Sequence, residues 1–181
     1  MKNLCYTLLL LSSISSFAQN DSILNFRDET IYRINILLPG LEIEKDVYKD
    51  FSVVGNLGLF PGYYKNNNLF SNSEEGSFFI PFIDLQVRYY TNFNRRIEKG
   101  KTIVKNTGNF VALKFTNYFG TSTDHRSTES IRIAGMAYGI QRTYWDHWHL
   151  NFESGLMANL DADRNDSTVL PWISFQIGYT F

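Results

Sequence analysis

The last nine residues alternate without a break. Ile173, Phe175, Ile177, Tyr179 and Phe181 fall on one parity, and Ser174, Gln176, Gly178 and Thr180 on the other. A period of two marks a β-strand, whose successive side chains point to opposite faces. The same design recurs at 148–160, where Trp148, Leu150, Phe152, Leu156, Ala158 and Leu160 oppose Asn151, Glu153, Gly155 and Asn159. It recurs at 83–93, with Ile83, Leu85, Val87, Tyr89 and Phe93 against Asp84, Gln86, Arg88, Tyr90 and Asn92.

Other segments follow the pattern less cleanly. Phe51, Val53, Leu57, Leu59 and Tyr63 oppose Ser52, Asn56 and Gly58, and Val111, Leu113, Phe115 and Phe119 oppose Lys114, Thr116 and Tyr118. Between 131 and 145, Ile131 and Ile133 share one parity while Met136, Tyr138 and Ile140 share the other, which predicts a β-bulge near Ala134. Ile34, Ile36 and Leu38 precede Pro39-Gly40, and Leu41 and Ile43 follow it, so a short hairpin is expected there. Polar stretches at Lys65 to Ser77, Asn94 to Gly108, Thr121 to Ser130 and Asp161 to Val169 separate the strands. The count is eight if Pro39-Gly40 is a turn and seven if one kinked strand runs through it. An even number fits a membrane barrel with both termini on the periplasmic side.

The polar face carries Arg33, Asn35, Glu42, Glu44, Asn56, Asp84, Gln86, Arg88, Lys114, Asn151, Glu153 and Gln176. An eight-stranded barrel has an interior only wide enough for side chains to fill. Those groups fit inside it as a hydrogen-bonded, charge-paired network, and the apolar face then looks outward at lipid. Glu42, Glu44, Asp84 and Glu153 nearly balance Arg33, Arg88 and Lys114, as a sealed interior requires. A soluble barrel would need the reverse assignment. Many aromatics lie towards strand ends, as girdles at headgroup level do: Tyr63, Tyr64, Tyr89, Tyr90, Phe93, Tyr118, Phe119, Tyr144, Trp145, Trp148, Tyr179 and Phe181.

Residues 1–18 read as a secretory signal peptide: Lys2 is followed by an uncharged run from Leu4 to Ile14, then by Ser16 and Ala18 at the −3 and −1 positions of a cleavage site. Residues 19–29 form a lead segment and 30–181 the barrel. The single cysteine, Cys5, lies within the leader. No later run of about 18 apolar residues suggests a transmembrane helix. With 44% hydrophobic and 19% charged residues and a net charge of −1, the chain has the composition of one folded domain. It lacks the basic footprint of a nucleic-acid binder.

The leader, the antiparallel alternating strands and the segment Ile173 to Phe181 resemble the small outer-membrane β-barrel proteins of Gram-negative bacteria. In that family a terminal Phe, an aromatic two residues earlier and alternating hydrophobics form the signal read by the barrel-assembly machinery. The matching positions are Phe181, Tyr179, Ile177 and Phe175. The resemblance implies an all-β, eight-stranded, antiparallel, up-and-down transmembrane barrel in the outer membrane, in contact with lipid and lipopolysaccharide. Members of the family include structural and tethering proteins, adhesins, lipid A enzymes and secretion accessories, so the fold alone does not choose a function.

Residues with catalytic potential are few. His125 adjoins Asp124, and His147 and His149 flank Trp148; all three histidines read as wet turn or loop residues. Leu150 and Asn151 follow His149 with no serine for a deacylase set. Asp161, Asp163 and Asn165 mimic the opening of a calcium loop, but Asp166 stands where Gly is needed and Trp172 where a bidentate Glu is needed. Arg95, Arg96, Lys99, Lys101 and Lys105 make a basic periplasmic segment, read as a solvated turn partly continuing the next strand through Thr102 to Val104. The expectation is a non-enzymatic, cofactor-free structural or surface-interaction protein, meeting an unidentified protein or surface ligand through its outer loops. A narrow pore is the first alternative, and a lipid-modifying or proteolytic enzyme the second.

Overall fold

The computed structural model describes residues 29–66, 74–123, 126, 127, 129–161 and 169–181. The leader, most of the lead segment, Asp124, His125, Asp163, Asn165 and Asp166 lie outside the described residues. The strands are β1 (Thr30–Asn35), β2 (Gly40–Tyr48), β3 (Phe51–Asn66), β4 (Glu74–Tyr90), β5 (Gly108–Tyr118), β6 (Ser122–Thr123), β7 (Arg126–Ser127), β8 (Ile131–Tyr144), β9 (Trp148–Asn159) and β10 (Val169–Thr180). A short helix α1 (Phe93–Glu98) and a 3-10 turn (Val104–Asn106) lie between β4 and β5.

All strands but β6 and β7 form one antiparallel sheet closed on itself, in the order β1-β10-β9-β8-β5-β4-β3-β2. Each wall strand pairs with its neighbours in sequence, and β1 joins β10 through Arg33↔Thr180, Ile34↔Tyr179 and Asn35↔Gly178. Pro39 does separate two strands: Ile36 to Pro39 form the turn between β1 and β2, which settles the count at eight. The rim where β1 begins and β10 ends is called the near rim, and the opposite one the far rim.

Side-chain alternation sets the two faces. Along β1, Ile31, Arg33 and Asn35 are buried while Tyr32 and Ile34 are exposed. On β4 the buried set is Phe82, Asp84, Gln86, Arg88 and Tyr90. The fold is thus inverted relative to a soluble domain: charges are inside, and large apolar side chains such as Leu41 (61%), Leu113 (61%) and Ile173 (69%) stand out on the outer surface. Where the near rim must turn tightly, Trp145 (φ 49°) and Asp146 (φ 64°) both take left-handed backbone between β8 and β9. Two such residues make the turn whose twist suits a hairpin.

Several expectations are corrected. No bulge occurs near Ala134, because β8 pairs in unbroken register with β9 from Ile133↔Asn159 to Tyr144↔Trp148, and with β5 from Ile131↔Tyr118 to Gly108↔Gln141. Ile131 and Ile133 keep the inward parity close to the far rim, where the aromatic rings of Phe82, Tyr118 and Trp172 share the lining of the lumen with Asp84 and Lys114. The expected loop from Lys65 to Ser77 is shortened, because β3 continues to Asn66 and β4 starts at Glu74. Thr102 to Val104 do not extend β5, whose first residue is Gly108.

Candidate functional site: the charged interior

Direct cross-strand neighbours place the first charges. Arg33 on β1 faces Glu42 on β2, and its Nη1 donates to Glu42 Oε1 at 2.6 Å and to Glu44 Oε2 at 2.7 Å. Glu44 also accepts from Ser52 Oγ and Tyr90 Oη, each at 2.6 Å. Its Oε2 lies 3.6 Å from Arg88 Nη1. Arg88 reaches across the lumen to β9, donating through Nη2 to Glu153 Oε1 at 3.1 Å. Gln86 and Gln141 each accept from it at 2.8 Å, and its guanidinium lies 4.4 Å from the centre of the Phe110 ring. Glu153 in turn takes Lys114 Nζ at 2.7 Å, and Lys114 lies 3.2 Å from Asp84. Asp84 accepts from Thr116 at 2.7 Å and Gln86 at 2.6 Å.

The seven charged residues expected inside therefore lie on one connected path. From the near rim upward, Arg33, Glu44, Arg88, Glu153, Lys114 and Asp84 alternate in sign, with Glu42 flanking Arg33. Each is almost fully buried. A column of like composition but random sign would leave buried charges unpaired at several kcal/mol each, on the order of 3–5 kcal/mol. Here every member has an opposite neighbour.

The lower end of this column is sealed by the connection between β4 and β5. Phe93 turns inward and stacks on Tyr90, ring centres 4.4 Å apart, in a buried cluster with Phe110 and Ala112 against which Ile103 packs. Beyond α1, Lys105 and Asn106 both adopt left-handed backbone and present their carbonyls to the lumen. Arg33 Nη2 donates to Lys105 O at 3.2 Å, and Gln141 Nε2 to Asn106 O at 3.1 Å. Asn106 Nδ2 donates to Asp46 at 2.8 Å, while Lys105 Nζ reaches Asp146 O at 2.7 Å. The segment is thus a folded cap over the near rim, anchored by Phe93, Lys105 and Asn106, while Arg95, Lys99 and Lys101 are exposed on it as expected of a solvated turn. Gly108 leaves room for it, since a Cβ there would come within 2.6 Å of the Phe93 ring.

Sequence reasoning missed this cap, and missed Ser52, Tyr90 and Gln141 as members of the network. It also placed Tyr90 and Phe93 in an outer girdle. Both are buried inside because Tyr90 has the parity of Arg88, and because α1 folds Phe93 back beneath it. His149 is corrected too: it sits on β9, fully buried and facing inward, whereas His147 occupies the turn, stacked on Tyr179 with Nδ1 3.0 Å from Thr180 O. Phe175 and Phe181 project outward at 44% and 63% exposure, with Ile177 and Tyr179 on the same parity. At the far rim, Asp161 accepts hydrogen bonds from the Arg132 backbone N–H (2.6 Å) and from its guanidinium. Among the described residues no group of three His, Cys, Asp or Glu could hold a metal ion, and no helix is long and apolar enough to cross a membrane.

No protein-family model matches the chain, and no curated protein or solved structure is significantly similar to it. Function must be argued from the ring of strands and its interior.

Proposed function

We propose that the protein is an integral outer-membrane β-barrel with a filled interior, acting as a structural or surface-interaction protein rather than as an enzyme. The observation that carries this reading is the inversion of the fold, with an ion-paired column inside and a continuous apolar surface outside. Water would not favour such a surface, whereas a bilayer does. On this reading the near rim is periplasmic and the far rim faces outward. Lipid and lipopolysaccharide contact the wall, and the far-rim connections meet an unidentified protein or surface ligand. The outward row Phe175, Ile177, Tyr179 and Phe181 is the contact offered to the barrel-assembly machinery. The packed column and the cap favour a closed interior over a pore.

The test combines orientation with conductance. On intact cells, Glu129→Cys at the far rim is expected to react with a membrane-impermeant maleimide, and Lys99→Cys at the near rim to stay unlabelled until the outer membrane is opened. Purified protein in a planar bilayer should give no stable conductance steps. Labelling at Lys99 on intact cells would reverse the orientation, and large ion-selective steps would replace the filled barrel by a pore.

A further inference from the structure

The wall is not equally tall all round. β1 and β2 stop at the turn Ile36 to Pro39, and the last contacts there are Ile36 N–H to Ile177 O and Leu59 N–H to Pro39 O, both 2.8 Å. Their neighbours continue past it. β3 runs on from Leu59 to Asn66 paired only with β4, and β10 extends from Val169 to Gln176 paired only with β9. Among the described residues no strand fills the space between these two edges. A notch two strands wide therefore opens sideways through the wall.

Two features say what meets this notch. The hairpin tip is made of Ile36, Leu37, Leu38 and Pro39, with Ile36 and Leu37 more than half exposed. The far-rim connections at 121–130 and 161–168, by contrast, are dominated by Ser, Thr and Asp.

The two open edges also carry prolines at matching positions. Leu59 directs its N–H towards β2, so Pro61, two residues on, directs its nitrogen the same way. Ile177 directs its carbonyl towards β1, so Pro171, six residues back, lies on that same side. Each proline removes a donor that would face the notch. Bare N–H groups are costly against hydrocarbon and invite an added strand, and both prolines act against that.

Behind the notch lies a cavity of about 170 Å³, walled by Leu37, Leu38, Phe60, Phe82, Trp172 and Phe175 and floored by Asp84, Lys114 and Thr116. A space of this order, about 150 Å³ where measured, takes a benzene-sized apolar guest. The floor offers no free charge, because Lys114 is already held by Glu153 and Asp84 and lies over the Trp172 ring at 4.0 Å. An anionic head group would be repelled by the carboxylates of the column, whereas a neutral chain would not.

We infer that the notch between β3 and β10 is a binding site for the acyl chain of a bilayer lipid, which enters sideways over the β1–β2 turn and occupies the cavity beside Trp172. The inference rests on the membrane reading above, and its test separates the two. The chain has three tryptophans. Trp172 faces inward and Trp148 outward. Two single-tryptophan proteins are made, Trp145→Phe/Trp148→Phe and Trp145→Phe/Trp172→Phe, and each is reconstituted into phosphatidylcholine vesicles with acyl chains brominated at positions from next to the head group to mid-chain, or left plain.

Bromine is expected to quench Trp148 from the outer wall and Trp172 from within the notch. Adding Ser174→Phe, beside Glu153, or separately Leu38→Phe, at the turn, fills the cavity that the ion-paired column floors. Either is expected to abolish the bromine effect on Trp172. Folding of every variant is read from heat-shifted gel mobility, and having two filling positions covers a failure of one to fold. Quenching of Trp148 without quenching of Trp172 would overturn the site and leave the membrane reading standing. Trp172 quenching unchanged by both filling substitutions would overturn the site as well, because the signal would come through the wall. No quenching of Trp148 would remove the membrane reading, and the site with it.

Discussion

The two rims of the barrel are built from the same eight alternating strands and end differently. At the near rim the connection from Thr91 to Thr107 folds under the lumen, with Phe93 on Tyr90 and the carbonyls of Lys105 and Asn106 accepting from Arg33 and Gln141. At the far rim the wall is uneven, and Phe60, on the inward parity, is still 41% exposed. The strand code therefore fixes which face each residue meets, while the connections decide whether an end is closed. Burial of the column depends on the closed end: Arg33 is at once a partner of Glu44 and a donor to the cap.

The sharpest way to break this contrast is to remove the charge that ties the column together. Arg88→Leu would leave Glu44 and Glu153 each short of a partner, and a loss of about 3–5 kcal/mol is expected. The urea midpoint of the folded protein, read by tryptophan fluorescence, measures it. A loss of under about 1 kcal/mol would mean that the column is solvated and the near rim is not a seal.

A matched pair of truncations compares the rims directly. Phe93→Ala removes a buried ring from the cap and should cost about 3 kcal/mol or more. Phe60→Ala, at the open rim, should cost about 1 kcal/mol or less in the same urea titration, because that ring has already kept much of its surface exposed. Equal losses would erase the distinction between the ends.

The smallest expected effect is electrostatic and local to the far rim. Hydrogen bonds from the Arg132 guanidinium and backbone N–H hold the Asp161 carboxyl below its usual range. A depressed folded pKa contributes stability above the unfolded carboxylate range, and that stability is lost as the pH falls through the lowered value. The pair is solvated, so global stability should barely move. The protection factor of the Arg132 amide, its exchange divided into the intrinsic rate at each pH, is expected to fall on acidification in the parent and to stay flat in Asp161→Asn. A parent that shows no such response would place the pair outside the far-rim structure.

Much of this architecture could be read from the residues themselves. In β4, β9 and β10 the alternation is strict, so one parity assigns every face, and Asp84, Arg88 and Glu153 follow as inward charges. The hairpin at Pro39-Gly40 was legible from the turn dipeptide. Tyr90 carried two conflicting signals, a strand-end position and an inward parity; parity prevailed, because the pleat binds every residue of a strand while nearness to an end binds none. Gln141 was hidden by the apparent slip at Ile131 and Ile133, although counting back from it by twos would have exposed the continuous register. The cap had no local signature. α1 is only six residues long, Lys105 and Asn106 are non-glycine residues in left-handed backbone, and their partners are supplied by strands far away in sequence.

The alternating column also bears on how the ring can form. Three of its links join strands that do not adjoin: Glu44 on β2 meets Arg88 on β4, Arg88 meets Glu153 on β9, and Glu153 meets Lys114 on β5. An arc made of β1 to β4 holds Arg33 and Arg88 but lacks Glu153 and Lys114, so its inner face stays partly uncompensated and must keep its water. Complete pairing comes only when β9 is brought across the lumen to Arg88 and Lys114, so desolvation of the lumen and joining of the ends become one cooperative event. That joining is made by the seam of β1 with β10, which the register carries through only Arg33, Ile34 and Asn35. The seam with the fewest paired residues is thus the latch on the costliest burial, and unzipping it would rehydrate the whole column at once.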